Sequence, residues 1–193
     1  FFEKLNDERV VQDAILFGLR VTVMPVEGLE IGLSRTAQWC GSGRPCGAST
    51  FVDLLLGHDN VGVNIEASQE PGNQLGGIDV RWTSPIGDSP YATYLQWIGE
   101  DTRQGGPQIG SWIRQLGVEF WGLIPGLNFQ HRSHIEWADT MCREGGIGLS
   151  KKKPGCAYNH GRVYETGYRY HGESIGHGID TDSLSSSIGS TLI

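Results

Sequence analysis

Apolar and polar positions alternate along much of the chain, in segments of about ten residues, the period of strands with one apolar face. In "FGLRVTVMP", Leu19, Val21 and Val23 fall on one side. Pro25 to Gly28 predicts a tight turn, and "LEIGLSRTAQW" follows, with Leu29, Ile31 and Leu33 opposite Glu30, Ser34, Thr36 and Gln38. "LGGIDVRWTSP" sets Ile78, Val80 and Trp82 against Asp79 and Arg81. "YATYLQWIGED", "SWIRQLGVEFWG" and "NFQHRSHIEWADT" repeat the alternation, and "VYETGYRYHGESIGHGIDTDS" holds a possible seventh strand. "FVDLLLG" predicts a short loop helix or a buried tuck. Residues 1–16 read as a lead-in, a short helix or the approach to a strand, before a β region over 17–193.

The connections alternate in length. Short turns fall at one end, and longer loops, at about 40–74 and 141–162, fall at the other. Outer-membrane barrels have this asymmetry and strands of this length, whereas strands in soluble proteins average about five or six residues. Trp39, Trp97, Trp112 and Trp137 lie towards the long-loop end and Trp82 and Trp121 towards the other, as two interfacial girdles would. These features predict an all-β, antiparallel up-and-down outer-membrane β-barrel, present here as a segment of six or seven transmembrane strands. Arg35 and Arg114 share the nominal lipid-facing parity, so each demands a bulge, an interfacial position or a different register.

Composition narrows the classes. Gly makes up 29 of 193 residues, roughly twice the usual share, and without a strict period, which suits turns and close strand contacts. A net charge of -7 and the lack of a basic stripe argue against a nucleic-acid partner. No apolar run is long enough for a transmembrane helix. The opening "FFEKLNDERVVQDA" lacks an initiator Met and reads as an internal fragment. Cys40 with Cys46, and Cys142 with Cys156, lie close in sequence in loop-like surroundings. Local disulfides outside a reducing compartment are the expected pairing, against free or otherwise paired thiols.

Several motifs, "GLEIGLSRTAQWCGSGRPC", "FVDLLLGHDN", "EPGNQLGGIDVRW", "YLQWIGED" and "SIGHGIDTDS", resemble the capsule assembly Wzi family of bacterial outer membrane proteins over roughly residues 15–183. The resemblance implies part of a large outer-membrane barrel that holds capsular or extracellular polysaccharide in a lectin-like way, as a single-chain barrel contacting outer membrane lipid. It implies no enzyme activity and no cofactor. The motif residues Arg35, Gln38, Asp59, Asn60, Glu100 and Asp101 match without a known role.

The polar strand face suggests a charge-paired network of Asp79, Arg81, Gln96, Glu119, Arg132, His134 and Glu136. "GED" at Gly99 to Asp101 lacks a second carboxylate placed to flank a glycosidic bond. The histidines form no zinc motif. "HDN" and "GIDTDS" are oxygen-rich but match no calcium loop. Recognition is expected in the loops, where Trp39, Arg44, Tyr158, Tyr164, Tyr168 and Tyr170 offer planar faces and hydrogen bonds to sugars. Two other readings stay open: a passive outer-membrane pore or transporter, and a soluble all-β carbohydrate-binding or glycoside hydrolase domain.

Overall fold

The computed structural model describes residues 1–56, 66–70, 72–84, 90–102, 109–124, 126–127, 129–144, 152, 154–159 and 163–193. Its framework is an antiparallel meander. β1 (Phe2–Lys4), β2 (Ile15–Val26), β3 (Leu29–Trp39), β4 (Gly72–Thr83), β5 (Tyr91–Thr102), β6 (Ile109–Leu123) and β7 (Gln130–Glu144) pair in chain order. The chain then forms a hairpin of β8 (Arg169–Tyr170) and β9 (Glu173–Ser174) before β10 (Leu184–Leu192) returns to pair with β7.

The register upholds the alternation. Leu33 pairs with Val21 on β2 and Ile78 on β4, so the apolar positions share one face. Asp79 pairs with Gln96, and Gln96 with Gln115, so the polar positions share the other. The β3 boundaries coincide with the alternating stretch. The lead-in contributes β1, which pairs with β2 through three residue pairs.

The expected barrel is corrected by this topology. The order runs from β1 to β10, and among the described residues these two strands do not meet, so the sheet is open. Closure needs enough staggered strands for the two edges to join. Here one edge is three residues long and the other nine. Transmembrane strands, which the barrel carried with it, fall with the same finding, because an open sheet leaves its edge groups unpaired. The possible seventh strand is also relocated. "VYETGYRYHGESIGHGIDTDS" holds only the β8–β9 hairpin, and the last long strand is the Ser-rich segment after it.

The main core sits, unexpectedly, on the polar face at the long-loop end. Leu16, Leu75 and Ile113 from the sheet pack with Leu5, Val11 and Ala14 from the lead-in and with Tyr158, Val163, Tyr164 and Tyr168 from the late loop. This loop layer forms a cap over one end of the polar face. On the opposite face, Leu19, Val21, Leu116 and Ile135 are each about half exposed, and Ile188 is 81% exposed.

A second, smaller core lies on the apolar face under α1 (Ala48–Leu56). Gly47 caps the helix: its amide donates to Thr50 Oγ1 at 3.0 Å, the returning arm of a capping box. Phe51 and Leu54, one turn apart, face the sheet. Leu54 is fully buried with Phe17 and Ala37, and the Phe51 ring lies 5.1 Å from Trp39 and 5.3 Å from Phe17. This packing resolves Arg35. It keeps its apolar-face register, and its guanidinium donates to the Leu54 carbonyl at 2.6 Å and to the Gln74 amide oxygen. Arg114 sits beside a register shift, bonds Asp139 at 3.3 Å and lies over Trp137.

Candidate functional site: a capped polar face

The polar face is built by side chains that reach over glycines. Arg20 on β2 bonds Asp79 on β4 at 2.6 Å, crossing Gly32 of β3, where an added Cβ would overlap the Asp79 carboxylate. Tyr94 on β5 crosses Gly117 of β6 to reach Glu136 on β7. His134 on β7 lies over Gly189 of β10. Arg81 and Arg132 clamp Glu119 from both sides, at 2.6 and 2.8 Å. Asp79, Arg81, Gln96, Glu119, Arg132, His134 and Glu136 therefore do share one face. The geometry adds Arg20, Glu30 and Tyr94 to that set. Glycine at alternate strand positions opposite long polar residues was the signal for these crossings.

The cap is fastened to the sheet largely through backbone carbonyls. Tyr168 donates its hydroxyl to the Asn73 carbonyl at 2.7 Å, with the Thr36 carbonyl at 3.3 Å. Gln38, fully buried, donates to the Gly167 carbonyl at 2.6 Å. Arg9 donates to that same oxygen at 2.8 Å and also to the Arg169 carbonyl. Tyr164 donates to the Cys40 carbonyl at 2.8 Å, while Arg44 lies over its ring and donates to the Val163 carbonyl. Gly167 has φ +70°, and a Cβ there would overlap the Tyr158 carbonyl, so glycine is required. Burial pushes the hydroxyls of Tyr158 and Tyr164 above their ordinary range, so both stay protonated; Tyr164 donates, and Tyr158 accepts the His177 amide at 3.1 Å.

Both local disulfides form, Cys40–Cys46 and Cys142–Cys156. The first pins the loop after β3 beside Tyr164, and the second ties the end of β7 to the start of the cap. Beside it, Asp139 is buried between Arg143 at 2.7 Å and Arg114.

The six planar candidates thus divide by exposure. Tyr158, Tyr164 and Tyr168 are buried in the cap, and Trp39 and Arg44 are half-buried, with the Trp39 indole donating to Thr50. Tyr170 is exposed, at the β8–β9 tip, edge-to-face with His171 at 4.5 Å. His171 and Gly172 both have positive φ, as a two-residue hairpin turn needs. Among the motif residues, Arg35 and Gln38 are structural anchors and Glu100 and Asp101 lie on β5. Asp59 and Asn60 lie outside the described residues. In "GIDTDS", Asp180 pairs with Arg169 and Asp182 accepts the Gly155 amide, both at 2.8 Å.

Under the cap edge, the polar face of β3 to β6 floors a cavity of about 490 Å³. Its floor carries Ser34, Thr36, Gln96 and Gln115, and its roof is Ile175 to Gly178 with Tyr158.

Comparison with known proteins adds three findings. The family described as "Capsule assembly protein Wzi" matches residues 1–192. An "Uncharacterized 55.8 kDa protein in cps region" of Klebsiella pneumoniae is 37% identical over 121 residues, 62% of this chain, and the match spans 23% of that relative's length. No solved structure matches the chain.

Proposed function

We propose, from the premise that the chain belongs to the capsule assembly protein Wzi family, that it is part of a non-enzymatic protein that binds or organises capsular polysaccharide at the bacterial cell surface. Family membership implies an outer-membrane context. The observation that carries the reading is the cap: a loop layer held by two disulfides and a set of buried hydrogen bonds at the long-connection end of the sheet. Loops fixed on a rigid support suit recognition, because their ordering cost is met during folding rather than on binding. Tyr170 and His171 project from this layer and supply an exposed ring pair of the kind that stacks on sugars. Tyr158, Tyr164 and Tyr168, with Arg44 over the Tyr164 ring, support that surface from below, whereas Trp39 packs under α1 on the opposite face. The exposed aliphatic face of the sheet fits contact with outer membrane lipid. The relative's location in a cps region accords with a capsule role. A passive pore draws no support from an open sheet.

The test is the distribution of polysaccharide in a strain lacking the full-length protein. Released polysaccharide should rise and cell-bound polysaccharide fall, with total synthesis unchanged. Restoring the protein with Tyr170→Ala and His171→Ala together should recover only part of the attachment. An unchanged cell-bound fraction in the deletion strain overturns the reading.

A further inference from the structure

The cavity beneath the cap edge is lined by neutral groups of two kinds. Gln96 and Gln115 are direct cross-strand neighbours on its floor, and neither side-chain amide has a hydrogen-bond partner among the described residues. Ser34 and Thr36 add hydroxyls to the lining from β3, two strands away from Gln96. Each amide both donates and accepts, and each hydroxyl does the same, the complement that adjacent sugar hydroxyls require. Beside this polar strip on the same face are Leu75, Ile98 and Ile113, and Ile175 comes from the cap, together an aliphatic surface suited to the C–H face of a pyranose ring. The volume, about 490 Å³, lies in the range that small-ligand sites occupy.

Charge sets the class of sugar. The guanidinium of Arg114, on the opposite face of β6 from Gln115, is engaged with Asp139 and Trp137. The imidazole of His177 has Nδ1 accepting the Ile179 amide, and its Nε2 is turned towards Glu136 at 3.9 Å. Among the described residues, Arg20 on this face is committed to Asp79, and Arg81 and Arg132 to Glu119. An anionic sugar entering here would shed its hydration without gaining a cation, which is unfavourable. We infer that this cavity is a binding subsite for one neutral pyranose unit of the polysaccharide, held by the Gln96 and Gln115 amides against the Ile98, Ile113 and Ile175 wall. The inference rests on the polysaccharide reading above and assigns it a specific subsite and a preference against uronic acids at that position.

The experiment is an NMR titration of the protein with methyl glucoside, methyl galactoside and methyl mannoside, each compared with methyl glucuronide. At least one neutral glycoside should shift the side-chain amide signals of Gln96 and Gln115 and the Ile113 methyls. The glucuronide should bind at least about tenfold more weakly. Gln96→Leu with Gln115→Leu should weaken the neutral glycoside by about tenfold while the spectrum stays that of the folded chain. No shift with any neutral glycoside, or equal affinity for the glucuronide, overturns the inference. Binding of capsular polysaccharide by the full-length protein separates the two proposals. If it binds and the glutamine variant binds equally well, the subsite is wrong and the polysaccharide reading stands. If it binds none, the polysaccharide reading itself fails.

Discussion

Tyr94 on β5 donates its hydroxyl to Glu136 on β7 at 2.8 Å, although β6 lies between them. Gly117 makes the crossing possible, because its missing side chain leaves the space the Tyr94 ring occupies. Gly117→Ala should therefore lift the ring, break the bond and cost about 1–3 kcal/mol. Gly76→Ala, where an added Cβ meets nothing within 4 Å, should be close to neutral. Urea unfolding midpoints of the two variants, measured side by side, check the contrast.

Tyr168→Phe removes the hydroxyl that serves two buried carbonyls. It should cost about 1–2 kcal/mol, since an acceptor is left without its donor. The loss should be local. Amide hydrogen exchange should quicken in the cap over residues 163–182 and hardly change in β5 and β6.

The two disulfides should differ in weight. In the chain-entropy picture, stabilisation grows with the closed loop, and a fifteen-residue loop contributes about 3 kcal/mol. Cys142–Cys156 spans a sequence separation of 14, against 6 for Cys40–Cys46. Replacing Cys142 and Cys156 by Ser should lower the thermal midpoint more than the same change at Cys40 and Cys46. Calorimetry of the two double variants tests the order.

Acid should loosen the junction of β7 with the cap. Burial alone would raise the Asp139 carboxyl, but bonds from Arg143, the Met141 amide and Arg114 outweigh it and hold the group below its ordinary value. A depressed acid stabilises fully above its unfolded pKa of about 3.9, and that contribution fades as pH falls through the lower folded value. Asp139→Asn should thus lose stability at neutral pH and show a flatter decline below about pH 4. Raising pH from 6 to 8 should leave the Asp139 contribution unchanged. Thermal midpoints of both proteins from about pH 2 to pH 8 provide the measurement.

Strand positions and faces were legible in the sequence wherever alternation was strong. The stretch from Leu29 to Trp39 became β3 without a shift, and Arg35 kept its face because α1 supplied a carbonyl for it. Two features were hidden for identifiable reasons. β10 reads as "LSSSIGSTL", with few of the branched or aromatic residues that mark strands, and its place is fixed by pairing with β7. The cap was hidden because its bonds join residues more than ninety positions apart, as between Tyr168 and Asn73. The tyrosine-rich loop offered the right residue types for sugar contact, but composition could not separate the buried rings of Tyr164 and Tyr168 from the exposed ring of Tyr170. Closure was over-read from strand length and loop asymmetry, which a long open meander also satisfies.

The cap's attachment has an evolutionary consequence. Tyr168, Gln38, Arg9, Tyr164 and Arg44 all end on peptide carbonyls. A carbonyl is present whatever amino acid occupies the position, so Asn73 or Val163 could be exchanged without deleting the acceptor. Selection need preserve only the few donors, Gly167 and the two disulfides. The outward-facing residues between them are then free to diversify from strain to strain, presenting new surfaces on an unchanged mount.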